Sequence, residues 1–225
     1  GYMRTMIKTM QAQAEIPHMG FSDEYEVDGM IRLRDAVKKA AEAKGLRLTY
    51  MPVIIKAFSL ALNDFPEVNS ALSADRASVV YKGAHNIGVA VDTPAGLVVP
   101  NIKAVQQLSI LEIGQELARL SELAKSQRLP PQDLAGGTLT ISNIGAIGGT
   151  YLSPILMPGE TTICALGSVR REPRFGPGGV VTPVTVMRVS YAADHRVLAG
   201  ATLARFSNTV KAYLADPTTM LLHLR

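Results

Sequence analysis

The sequence predicts a single α/β domain built on a mixed sheet, on three observations. Alternating apolar runs and runs with helical apolar spacing follow one another along all 225 residues. No internal repeat and no Gly/Pro/Ser-rich linker separates them. Hydrophobic residues make up 47% and charged residues 19%, the balance of a globular core rather than of a disordered chain. One domain is therefore assigned to residues 1–225.

Residues 3–14 read as a helix that stops before Pro17, because the residue preceding proline disfavours the helical region. His18 to Val27 alternates and reads as a strand. Asp28 is the expected N-cap of a helix running to Gly45, with Met30, Leu33, Val37 and Ala40 on one face and Arg32 and Arg34 on others. Thr49 and Pro52 open a second helix, Val53–Asn63, apolar nearly all round and so expected to be buried. Short β-like runs follow at Val68–Leu72, Ser78–Tyr81, His85–Val91 and Leu97–Val99, with turn chemistry at Asp92-Thr93-Pro94-Ala95-Gly96. Ser109 and Glu112 form a capping box, stapled by Leu108 and Ile113, and the helix they start ends before Pro130-Pro131. Gly136–Thr150 reads as a Gly-rich strand segment, Thr161–Gly167 as another strand, and Arg170–Pro183 as a polar loop or hairpin. Val184, Val186 and Val189 then lead to Asp194-His195-Arg196, after which Leu203, Phe206, Val210 and Leu214 recur at helical spacing.

Composition narrows the function classes. The net charge is +4, but Lys and Arg are dispersed and not interleaved with aromatics, so a nucleic-acid surface is not indicated. No apolar stretch approaches the ~18 residues that cross a membrane, so no membrane partner is expected. The single Cys164 excludes an internal disulfide, and His18, His85, His195 and His223 are too far apart in sequence for metal-ligand spacing. A positive mean hydropathy, +0.16, with only 5% aromatics and no Trp, fits either an aliphatic core or surface covered by another subunit.

His195, at a strand-to-helix corner among small residues, can be reachable and rigidly held. It is a candidate general base with an ordinary pKa of roughly 6.5, or else a structural histidine satisfied by a backbone carbonyl. Ser142, flanked by glycines, is a candidate oxyanion donor or a turn residue. Thr140 and Ile144 replace the glycines of a nucleophile elbow, so a serine hydrolase is a poor fit. The Gly-rich run also lacks the Gly-Lys-Ser/Thr ending of a phosphate loop.

Ile16-Pro17-His18, Phe65-Pro66-Glu67-Val68-Asn69, Asn86–Thr93, Gly96–Pro100, Gly137–Gly145 and Asp194-His195-Arg196 occur in an order that resembles the catalytic domain of 2-oxoacid dehydrogenase dihydrolipoyl acyltransferases (E2). The resemblance covers essentially the whole chain. Pro17–Glu24 and Ser142–Gly149 make it most similar to the branched-chain members. It implies a chloramphenicol-acetyltransferase-like α/β fold, a mixed sheet with flanking helices, working as a homotrimer that assembles into a larger hollow core. It also implies acyl transfer between a dihydrolipoyl group and coenzyme A, with active sites at subunit boundaries. His195 of one subunit would be the base and Ser142 of its neighbour the oxyanion donor, with Arg34, Thr49, Asp92, Asn143 and Ser168 (besides Ser142) contacting coenzyme A. Met220-Leu221-Leu222 would plug trimer to trimer. The lipoyl group, and the binding of the E1 and E3 components, would belong to lipoyl and subunit-binding domains upstream of this chain. The location implied is the mitochondrial matrix, with a bacterial cytoplasm as the alternative.

One position departs from the family pattern His-Arg-x-x-Asp-Gly: this chain has Ala199 where the carboxylate would stand. Arg4 is the expected partner of that missing carboxylate. The departure leaves three explanations open, an engineered change, a natural variant that tolerates the loss, and a catalytically impaired core subunit. An acetyl- or succinyl-specific enzyme and a free-standing acetyltransferase of small amines or alcohols are further alternatives.

Overall fold

The computed structural model describes residues 2–223. Among the described residues are ten strands and six α-helices, with short 3-10 turns between some of them. The strands are β1 (His18–Glu26), β2 (Ser70–Leu72), β3 (Val79–Tyr81), β4 (Ile87–Val89), β5 (Val91–Thr93), β6 (Gly96–Val98), β7 (Asn101–Ile102), β8 (Leu139–Asn143), β9 (Thr162–Phe175) and β10 (Val181–Asp194). The helices are α1 (Tyr2–Gln13), α2 (Asp28–Glu42), α3 (Met51–Asp64), α4 (Ile110–Lys125), α5 (Pro131–Leu134) and α6 (Gly200–Ala215). Six strands form one sheet in the order β1-β10-β9-β8-β4-β7, in which β4, β8 and β9 are parallel and the other pairings antiparallel. The mixed sheet expected from sequence is present. β2–β3 and β5–β6 form separate hairpins.

α3 packs against both α4 and α6, and α6 lies on β1. α3 is buried along most of its length, as its apolar pattern requires, and Leu203, Phe206, Val210 and Leu214 of α6 are all buried. Phe58, Tyr191 and Phe206 meet with centroids 5.7–6.3 Å apart, locking α3, β10 and α6 together. Their neighbours carry buried hydroxyls that satisfy one another: Tyr25 OH lies 2.7 Å from Tyr191 OH and 2.8 Å from Ser207 Oγ.

Several local expectations are corrected. Asp28 is the first residue of α2 and not its cap; its carboxylate accepts instead from Thr185 N and Oγ1, both at 2.8 Å, tying α2 to β10. α2 ends at Glu42, and the face carrying Val37 and Ala40 is exposed along an apolar groove. Pro66–Asn69 is a 3-10 turn, so β2 begins only at Ser70. The Gly-rich segment is strand only over Leu139–Asn143, with residues 144–150 irregular. Arg170–Pro183 is the hairpin alternative: β9 and β10 run on to a tip at residues 176–180. The capping box forms as read, Glu112 N donating to Ser109 Oγ at 3.2 Å and Ser109 N to Glu112 Oε2 at 2.7 Å.

Glu160, just ahead of β9, is a buried carboxyl, 7% exposed. Burial pushes it up to about 7 despite a hydrogen bond from Thr140 and the nearby Lys82 ammonium. A carboxyl raised in the folded state adds stability that is full below its unfolded pKa of 4.5 and is lost as pH rises through 7. Glu160→Gln is therefore expected to match the parent chain near pH 4 and to exceed it by about 3 kcal/mol above pH 8, read from urea unfolding at both pH values. A gap that does not widen with pH would mean the carboxylate is compensated when ionised.

Candidate functional site

β10 delivers His195 to the surface, and the chain behind it is fixed by backbone bonds. His195 N donates to Pro17 O at 3.0 Å, Asp194 N to Thr161 O at 2.9 Å, and Val197 N and Leu198 N both return to Asp194 O. The buried Asp194 carboxylate accepts from Arg196 Nε at 2.9 Å, Nη2 at 2.7 Å and backbone N at 3.0 Å. Burial raises that carboxyl, but the Arg196 bonds outweigh it and hold Asp194 below the usual carboxylate range.

His195 Nδ1 lies 2.9 Å from Leu198 O. A carbonyl oxygen only accepts, so Nδ1 carries a proton, and in the neutral ring Nε2 is the nitrogen with the free lone pair. The structural reading of this histidine, satisfied by a backbone carbonyl, is present, and that contact leaves the second ring nitrogen without a partner among the described hydrogen bonds. Leu198 O is a partner that no side-chain motif could reveal.

Ser142 and Asn143 end β8. The backbone after them is held by close packing without side chains: Ile144 N and Gly145 N donate to Leu166 O at 3.2 and 3.1 Å, and Ser168 N donates to Gly149 O at 3.0 Å. A Cβ on Gly145 would collide with Gly167 O, and one on Gly167 with Thr150 O, so both positions need glycine.

The parallel strands gather most of the remaining candidates at one end. Ser142 is level with Ala165 and Asn143 with Leu166; Asp92 follows the end of β4, and Ser168 stands two residues beyond Leu166 on β9. A cavity of about 290 Å³ opens here, lined by Thr49, Tyr50, Met51, Asn143 and Gly145 among others. Asn143 Nδ2 donates to Met51 Sδ at 3.4 Å and Asn143 Oδ1 accepts from Gly145 N at 3.1 Å, holding the amide at the cavity wall. Arg34 reaches this wall through Tyr50, its guanidinium carbon 5.4 Å from the ring centroid while Nε donates to Leu48 O at 3.0 Å. Tyr50 is a cavity-lining residue that sequence reasoning did not single out. Asp92 is exposed on the β5–β6 hairpin and does not line the cavity. Ser168 Oγ is buried without a partner among the described residues.

His195 is not at this end. Ser142 is level with Ala165, which pairs with Ser190, and His195 lies five residues further along β10. Five residues at ~3.3 Å and two strand spacings at ~4.8 Å place the two backbones roughly 19 Å apart in one chain. A base and an oxyanion donor that serve one reacting centre must both come within about 3 Å of it. The pair expected to cooperate is therefore split between opposite ends of the sheet.

Ala199 occupies the N-cap position of α6, with extended φ −82° and ψ 149° and no side-chain cap. Although Arg4 lies in α1, its side chain is outside the described residues. Ala199→Asp is expected to supply the missing acceptor to α6 and raise unfolding free energy by about 1 kcal/mol, measured by urea titration. An unchanged or lower value would show that a carboxylate here has no helix end to serve. Among the described residues no three His, Cys, Asp or Glu side chains cluster to hold a metal, and no helix is long and apolar enough to cross a membrane.

The family model for the catalytic domain of 2-oxoacid dehydrogenase acyltransferases matches residues 1–222. The chain is 49% identical over 225 residues to the mitochondrial lipoamide acyltransferase component of the branched-chain α-keto acid dehydrogenase complex of Caenorhabditis elegans, and 47% identical to that of Mus musculus. In each case all of this chain is covered, and it spans about half of the relative, 50% and 47% of their lengths. Among solved structures it is similar to the dihydrolipoamide acetyltransferase of Azotobacter vinelandii, studied for a serine, a histidine and an asparagine in its catalytic mechanism (TM-score 0.94, 33% identity, 97% of this chain and 90% of that one). The same values hold for the cubic core of a pyruvate dehydrogenase multienzyme complex. Chloramphenicol acetyltransferase shares the fold, with TM-score 0.62 at 14% identity over 92% of this chain and 94% of that one.

Proposed function

The chain belongs to the family of 2-oxoacid dehydrogenase acyltransferase catalytic domains, and we propose that it moves a branched-chain acyl group between a dihydrolipoyl thiol and coenzyme A. The observation that carries this reading is the ring of the exposed His195, held by Nδ1–H on Leu198 O, which leaves Nε2 as the nitrogen to take a proton. Nε2 takes the proton of the coenzyme A thiol, and the thiolate adds to the acyl thioester carbonyl. Ser142 Oγ of a neighbouring subunit donates a hydrogen bond to the oxyanion that forms. The dihydrolipoyl sulfur then leaves and recovers the proton from His195. One thioester replaces another, so positioning and oxyanion stabilisation do most of the catalysis. The similar acetyltransferase, for which a serine and a histidine were studied in catalysis, supports these roles.

Coenzyme A would lie along the cavity at the ends of the parallel strands. Thr49 and Asn143 line its wall, and Arg34 stacks on Tyr50. Arg34 is the cation for a phosphate group, already aligned by Leu48 O. The donor acyl group would arrive on a lipoyl domain outside this chain, with E1 and E3 bound through a subunit-binding domain there, in the mitochondrial matrix, a location supported by similar lipoamide acyltransferases that are named as mitochondrial. The experiment is acyl transfer from isobutyryl-, acetyl- and succinyl-coenzyme A to dihydrolipoamide. Preference for isobutyryl is expected; preference for acetyl or succinyl would reassign the substrate, and no transfer would leave a structural core. Ala199 favours that second reading, an impaired core subunit, and activity gained only by Ala199→Asp would establish it.

Assembly into homotrimers and then a hollow core is part of the proposal, supported by similarity to the cubic core. Of the three residues expected to plug trimer to trimer, Leu222 is the one this reading assigns to the contact. Met220 is buried in its own subunit's core, whereas Leu222 is 85% exposed. Leu221 lines an apolar groove of about 400 Å³ with Leu33, Val37 and Ile110. Leu222→Asp is expected to split the core into trimers on sedimentation without loss of the trimer's activity. A core that stays intact would place the trimer-to-trimer contact elsewhere.

A further inference from the structure

A second cavity, about 520 Å³, lies at the other end of β4 and β8, and none of the residues proposed for acyl transfer lines it. Two of its lining residues carry a buried acceptor that lacks a partner among the described residues, Glu160 Oε2 and Asn101 Oδ1. Glu160 is 7% exposed and Asn101 2%. The Asn101 amide cannot turn to help, because its Nδ2 donates to Asp133 O and Ala135 O, both at 3.1 Å. Glu160 Oε1 is taken by Thr140 Oγ1 at 3.1 Å. Both acceptor side chains border the space beside Gly137, where a Cβ would stand 2.8 Å from Glu160 Oε1 and 3.8 Å from Asn101 Nδ2.

Two cations flank these residues. Lys82 lines the cavity and donates to Gly159 O, with a Coulombic hold on Glu160. Lys103 donates to Ala135 O beside Gly136, which also lines the cavity. Each ammonium has protons left for a ligand. Val99, Leu134 and Met157 supply an apolar wall. The lysines and the lack of a second carboxylate make this a poor metal site, since a divalent cation needs several anionic or neutral oxygen ligands and no competing ammonium.

We propose that this cavity binds a small zwitterion, an α-amino acid with an aliphatic side chain. Its ammonium sits on Glu160 Oε2 and Asn101 Oδ1, its carboxylate on Lys82 and Lys103, and its side chain on Val99, Leu134 and Met157. Binding would satisfy the two buried acceptors, each costly to leave unmade. The inference does not depend on the acyl-transfer reading, because the site and its readout are separate.

The test is calorimetric titration of the intact protein with L-leucine, with 3-methylbutylamine (leucine without the carboxylate) and with 4-methylpentanoate (leucine without the ammonium). Leucine is expected to bind once per chain and each analogue about tenfold more weakly or worse, since each loses one charged contact. Glu160→Gln, which folds at least as stably by the argument above, should weaken leucine about tenfold, as should Lys82→Met with its alkyl stem kept. No binding of leucine at millimolar concentration overturns the proposal. So does equal binding of leucine and 4-methylpentanoate, which would mark a simple carboxylate site, or undiminished affinity in Glu160→Gln.

Discussion

His195→Ala is expected to lower acyl transfer by about 10²–10⁴-fold, the usual worth of a positioned general base, while subunits still fold and assemble. The side chain is exposed and its structural bond, Nδ1–H to Leu198 O, is the kind worth about 1 kcal/mol, so stability should change little. The backbone bonds of His195 and Asp194 to Pro17 and Thr161 survive the substitution and keep the corner in place. The measurement is transfer from isobutyryl-coenzyme A to dihydrolipoamide. Turnover within a few-fold of the parent would remove His195 from the mechanism.

Ser142→Ala is expected to cost about 10²–10³-fold in kcat, the loss that follows removal of one oxyanion donor. The more telling result comes from combining the two variants. One sheet carries Ser142 and His195 at opposite ends, five residue levels and two strands apart, so under the proposed mechanism each site would draw them from different subunits. Co-expressed in equal amounts, the two inactive variants should therefore restore activity, because about a quarter of the subunit boundaries in a closed ring would join an intact His195 to an intact Ser142. Failure to recover any activity would mean that both residues act within one chain, which the strand spacing opposes, or that Ser142 has another role.

The elements legible in the sequence were those whose signals are local. The apolar spacing of Leu203, Phe206, Val210 and Leu214, the all-round apolar α3 and the Ser109–Glu112 capping box each depend on neighbours within a turn or two. What misled was decided at a distance. Asp28 has the chemistry of a cap, but Thr185 on β10 claims its carboxylate. β8 stops at Asn143 because the next residues bond to Leu166, not because their composition changes. The candidate site follows the same division. His195, Ser142 and Asn143 were visible as residue types in suggestive settings, and their family order was visible along the whole chain. Their separation was not, because it is set by the parallel register of β8 on β9. Leu198 O and Pro17 O were invisible for another reason, since a backbone acceptor leaves no mark in a sequence. Glu160 had a signal, a lone charge at the threshold of the apolar run Thr161–Leu166, which could have marked it as buried.

The paired glycines behind Ser142 have a consequence for how this cavity can diversify. Gly145 and Gly167 leave no room for a single added methyl, so the frame that presents the serine admits no drift. The walls are another matter. Met30, Met51 and Met187 all line the cavity, and unbranched thioethers refill space at little cost when a neighbour changes size. Selection for a differently shaped bound group would thus leave its record in the methionines, while the glycines stay mute whatever the substrate becomes.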